Sequence, residues 1–143
     1  MKKHKYLILT IIWMLYIFYM SHQIGAVSSN SSSTVANTFL NFIPLPDSFT
    51  YTLETIIRKT AHILEYAILT WLVFQTIKPY SKYVYQLSFI IAIGYACTDE
   101  LHQYFIPGRT ALITDVFIDS IGIIIILLIL HLYYKKKRTS DNH

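Results

Sequence analysis

Arg58, His62, Glu65 and Leu69 stand four, three and four residues apart, a spacing that lines up a guanidinium, an imidazole and a carboxylate on one face of a helix. Lys59 lies beside them. Further along, Asp99, His102 and Gln103 share a second such face, with Glu100 next to it. Asp115 and Asp119 follow one turn apart, and Gly122 continues their face where a missing side chain permits close helix approach. Arg109 falls between the second and third groups. His62, Glu65 and Asp99 are the candidates for acid-base proton transfer. Arg58, Lys59 and Arg109 can hold an anionic group such as a phosphate or carboxylate, with Glu100, Gln103, Asp115 and Asp119 completing a polar binding site.

Three other readings use the same residues. His62 with Glu65, and Asp99 or Glu100 with His102, offer nitrogen and oxygen ligands for a divalent metal. Such short spacings arise often by chance and no cysteine ligand supports them, so neither a metal nor a cofactor is expected. A buried ionic network can also serve only to lock helices together or to form a partner interface. A proton-coupled carrier would titrate Glu65 and Asp119, but the inner halves of the segments that hold them show no matching polar path. Both catalysis and simple binding are compatible with the pattern.

The elements that must position these groups are set by composition. Of the 143 residues, 54% are apolar and 14% charged, too apolar and too poor in charge for an ordinary soluble domain. With ~20 apolar residues needed per spanning helix, the chain has room for an all-α membrane bundle of about four spans in a single domain. They are expected over about 6–22, 60–77, 83–102 and 114–134. Lys78-Pro79 ends the second span, and the run Lys135 to Arg138 ends the fourth. The first also resembles a signal peptide, because small residues follow at Gly25-Ala26-Val27-Ser28. Its bulky Trp13, Tyr16, Phe18 and Tyr19 argue for a retained helix.

From about 22 to 55 the composition turns to Ser, Asn, Thr and Pro, with Pro44 and Pro46, and predicts an exposed loop crossed by no long helix. Residues 35–42 could form a short interfacial helix. The single Cys97 can form no intrachain disulfide and reads as a packing residue. The net charge of +4 is no nucleic-acid signal, because the basic residues sit at the ends of apolar runs.

Placing both termini in the cytoplasm puts nine of the twelve Lys and Arg inside and leaves Arg58, Lys59 and Arg109 outside. Of the acidic residues only Asp141 then lies inside; Asp47, Glu54, Glu65, Asp99, Glu100, Asp115 and Asp119 lie outside or near the outer ends of spans. At ~1.5 Å rise per residue, Glu65 sits about 9 Å deeper than Lys59. An unpaired carboxylate at that depth is costly, so partners are expected for it and for Asp119.

Three blocks carry a resemblance: R-K-x-x-H-x-x-E-Y at Arg58 to Tyr66, D-E-x-x-Q-x-x-x-P-G-R at Asp99 to Arg109, and D-x-x-x-D-x-x-G at Asp115 to Gly122. In this order they resemble the VanZ-like membrane proteins, a family named for a protein encoded with bacterial glycopeptide-resistance genes. The resemblance covers nearly the whole chain. It implies a small multi-pass protein of the bacterial cytoplasmic membrane, with lowered sensitivity to teicoplanin-type lipoglycopeptides as the associated property. In such a protein, with the lipid bilayer as one partner, the outward polar cluster is expected to bind or modify an anionic envelope component, such as a lipid headgroup or a lipid-linked wall precursor.

Overall fold

The structure, a computed structural model, describes residues 2–23, 25–40 and 49–141. These residues form five helices and no strand: α1 (Lys2–Ser21), α2 (Gly25–Leu40), α3 (Thr50–Ile77), α4 (Val84–Gln103) and α5 (Ile113–Ser140). The all-helical class is therefore as expected. Among the described residues, two helical segments, His4–Ser21 and Ile113–Ser140, are long and apolar enough to cross a membrane. Their outward faces carry Ile8, Leu15, Ile124 and Leu128, all exposed, as suits an apolar solvent. α3 and α4 occupy the regions expected for the middle spans, but Glu65, Asp99 and Glu100 interrupt their apolar character.

Helix α3 is the axis of the bundle and touches each of the other four. Its buried stripe of Tyr66, Leu69 and Val73 recurs at helical spacing and meets Ile17 of α1, Ala92 and Ala96 of α4, and Ile123 of α5. The two alanines let α4 come close. A second cluster of Phe74, Val84 and Leu130 closes the bundle at one end. There the Thr10 and Thr76 hydroxyls meet at 3.1 Å, and Lys78 Nζ stands 3.8 Å from the centre of the Tyr134 ring. The start of α1, the α3–α4 turn and the end of α5 thus share one end, and the polar residues gather at the other.

The exposed loop expected over 22–55 is corrected: residues 25–40 form helix α2, and α3 begins at Thr50 rather than near 60. Local propensity argues against a helix in GAVSSNSSSTVANTFL, so tertiary contact must supply it. Ser32 and Ala36, four apart, are buried together, and small side chains allow α2 to lie close against α3. Ser33 Oγ donates to Glu54 Oε1 at 2.6 Å, tying α2 to the early turns of α3. On the outer face Thr34 and Thr38 donate to carbonyls one turn back and so do not compete with the ladder. Pro44, Pro46, Asp47 and the end of the expected interfacial helix lie outside the described residues. Cys97 is exposed on the bundle surface and packs no core, a second correction.

Gly122 fixes how closely α5 meets α3. A methyl group built there collides with the backbone carbonyl of Ile63, which rigid helices cannot move aside. Gly94, by contrast, has open space around it. Gly122→Ala is expected to lower the thermal unfolding midpoint in detergent by at least about 5 °C, the effect of 1–3 kcal/mol of overpacking. Gly94→Ala should be neutral or stabilising, since alanine favours the helix. Equal midpoints for the two variants would show that α5 does not need this approach.

Candidate functional site

The polar end is built on the carboxyl ends of α1 and α4, the amino-terminal halves of α3 and α5, and the segment joining α4 to α5. Asp99, 4% exposed, is at its centre. Ser21 Oγ donates to Asp99 Oδ2 at 2.8 Å, and Gln103 Nε2 donates to the same oxygen at 3.0 Å. The first bond joins α1 to α4 and the second locks one turn of α4. Asp99 Oδ1 is buried with no hydrogen-bond partner among the described residues.

Arg109 completes the network from the joining segment. Its Nε donates to the Gln23 carbonyl at 3.1 Å and its Nη2 to the Met20 carbonyl at 3.0 Å, satisfying acceptors at the end of α1. Nη1 reaches Gln103 Oε1 at 3.4 Å. A cation at a helix carboxyl end also complements the helix dipole. Burial, and next the neighbouring Arg58, lower the Arg109 pKa from its ordinary value, while Asp99, Glu100 and Glu65 act against this. The guanidinium remains charged. The turn that delivers it places Gly108 at φ 76°, a conformation that favours glycine. Gly25 N donates to the Pro107 carbonyl at 3.1 Å across a contact that a side chain at Gly25 would obstruct.

Glu100 accepts the Leu112 N–H at 2.6 Å and so holds the entry to α5. Lys59 Nζ lies 3.5 Å from Asp115 Oδ1 in a half-exposed pair that adds little stability. His62 Nδ1 lies 3.4 Å from Glu65 Oε2, within ion-pair range but not aligned as a hydrogen bond. Trp13 Nε1 donates to the Glu65 carbonyl at 2.9 Å, and the Tyr95 hydroxyl to the Met14 carbonyl at 2.6 Å. These bonds seat α1 beside the site.

Two cavities open among these groups. The larger, about 280 Å³, is lined by Arg58, Lys59, His62, Gln103, Arg109, Asp115 and Asp119, together with Thr55, Thr110 and Leu112. The smaller, about 180 Å³, has Met20, Val35, Ile57 and Ala61 in its wall, with Glu65, and shares Arg58, His62 and Arg109 with the first. Eight of the ten residues singled out from the sequence therefore line one cavity or the other. Asp99 and Glu100 line neither; Asp99 Oδ2 ties α4 to Ser21 of α1, and Glu100 Oε1 ties it to Leu112 at the start of α5. Among the described residues no three His, Cys, Asp or Glu side chains gather to hold a metal ion. His102 turns instead to His22, with Nδ1 of His22 and Nε2 of His102 3.1 Å apart.

Ser21, Gln23 and Trp13 were missed in the sequence. A serine and a glutamine at the end of an apolar run look like the start of a loop, and their partners are far away in the chain. The charge-free first span gave only the rule that a buried carboxylate needs donors.

An all-helical bundle with two membrane-length apolar helices and a charged cavity at one end is the class of protein that this fold and site define. The profile of the VanZ/LLP1 family matches residues 6–134, nearly the whole chain, and the chain belongs to that family. No curated protein and no solved structure matches it.

Asparagine at position 99 keeps an acceptor for Ser21 and Gln103, whereas leucine strands both donors. Asp99→Leu is expected to cost about 2–3 kcal/mol and to reduce the amount of folded protein, with Asp99→Asn close to wild type. Thermal unfolding of the purified variants checks this. Equal losses in both would mean that the charge itself, rather than the acceptor, holds α1 to α4.

Proposed function

We propose that this chain is a four-span protein of the bacterial cytoplasmic membrane, with both termini cytoplasmic, whose outward polar cavity binds an anionic component of the cell envelope. The component is a lipid headgroup or a lipid-linked wall precursor. One observation carries the reading: Arg58, Lys59 and Arg109 come from two separate segments and line one cavity. Three cations gathered at one cavity near a membrane interface attract an anion, and the carboxyls that line the same cavity with them are Asp115 and Asp119. Arg58 Nε is buried without a hydrogen-bond partner among the described residues, a donor left for a ligand. Ionisable groups are expensive at this depth, which favours a functional use.

His62 and Glu65 are the acid-base pair of this proposal, because His62 faces both cavities and Glu65 the smaller one. Asp99 acts as a positioning residue through Ser21, Gln103 and, by way of Gln103, Arg109. The alternative, a purely structural lock or partner interface, is favoured by that same network for Asp99 and Glu100. It leaves Arg58, whose buried Nε has no hydrogen-bond partner among the described residues, unexplained.

Expression in a susceptible Gram-positive host tests the reading. Wild type is expected to raise the minimum inhibitory concentration of teicoplanin, and Glu65→Gln at matched membrane levels to leave it at the vector value. If Glu65→Gln protects as well as wild type, proton transfer at Glu65 is not part of the function.

A further inference from the structure

The two cavities share a wall, and the chemistry on either side of it differs. Arg58, His62 and Arg109 face both. Beyond them, one side holds Asp115 and Asp119, and the other presents mainly apolar surface at Met20, Val35, Ile57 and Ala61, with Glu65 also in its wall. We infer that the cavities form one site for a single amphiphile: a lipid phosphodiester whose phosphate sits at the Arg58–Arg109 wall. Its head reaches Asp115 and Asp119, and the start of its chain lies in the smaller cavity. This rests on the anion-binding reading above and narrows it to one class of lipid.

Charge decides the class. Arg58 and Arg109 stand at the shared wall, while carboxyls lie beyond it on either side: Asp115 and Asp119 in the larger cavity and Glu65 in the smaller. A phosphodiester places its one negative charge at that wall and nothing anionic beyond it, whereas a lipid diphosphate brings a distal phosphate that would lie against the carboxyls. Asp115 and Asp119 offer acceptor oxygens in either protonation state, so a head that carries donors such as hydroxyls or an ammonium matches them. A bare phosphate satisfies the arginines and leaves the far side unmatched. The apolar side gives the ligand its affinity, as burial of alkyl surface does in any such pocket.

Native mass spectrometry of the purified protein in a neutral detergent tests this with short-chain probes. Dioctanoyl phosphatidylglycerol and phosphatidylethanolamine carry donors, phosphatidylmethanol is the same phosphodiester without them, farnesyl diphosphate is the lipid diphosphate, and glycerophosphoglycerol is a head without chains. Phosphatidylglycerol or phosphatidylethanolamine is expected to bind at least about tenfold tighter than phosphatidylmethanol, farnesyl diphosphate or the free head. The better of the two shows whether hydroxyls or an ammonium face the carboxylates. Ala61→Trp, which fills the smaller cavity from an exposed position, is expected to weaken the lipid about tenfold and leave the free head unchanged; Val35→Phe repeats the test if that variant melts early. Equal binding of phosphatidylmethanol overturns the two-ended head, and tightest binding of farnesyl diphosphate overturns the phosphodiester. Lipid binding indifferent to both variants overturns the shared site. Any of these leaves anion binding standing, whereas no binding of any phosphate-bearing probe removes the anion-binding reading as well.

Discussion

A carboxylate held among helices in an apolar medium needs donors, and Asp99 finds them in Ser21 and Gln103. That requirement organises the polar end. Removing charge from water costs several kcal/mol unless each ion is paired and hydrogen-bonded. The bonds that meet the cost also fix where α1, α4 and the segment before α5 stand. Arg109 extends the pattern by donating to the Met20 and Gln23 carbonyls where α1 ends. The order in this half of the bundle is therefore electrostatic, and the order in the other half comes from apolar packing around Phe74, Val84 and Leu130.

The two halves meet on α3. Its Tyr66, Leu69 and Val73 stripe is core, while one and two turns earlier His62 and Arg58 face cavities. The same helix thus anchors the fold at one end and presents the chemistry at the other. Gly122 connects them, since the close approach of α5 at Ile63 brings Asp115 and Asp119 to the cavity that Arg58, Lys59 and His62 line.

Much of this was legible in the sequence because helical spacing is local. Arg58, His62 and Glu65 fall on one face by arithmetic, and the structure places all three at cavities. The separation of Asp99 and Glu100 from the cavity was not legible, because their partners Ser21 and Leu112 are chosen by tertiary contact. Helix α2 was hidden for a related reason. Its serines and asparagine match a loop in composition, and only burial of Ser32 and Ala36 and the bond from Ser33 to Glu54 reveal why it coils. Two strongly apolar helices are plain from composition alone, while α3 and α4 lose that signal to the ionisable residues that give them their role.

The central claim is that a charged cavity between α3 and α5 faces outward from the cell. Thr110 lines that cavity and is exposed. A Thr110→Cys variant in a Cys97→Ser background, treated in intact cells with a membrane-impermeant maleimide, reads the claim directly. Labelling without permeabilisation is the predicted result, whereas labelling only after the membrane is opened would place the cavity on the cytoplasmic side and contradict the account.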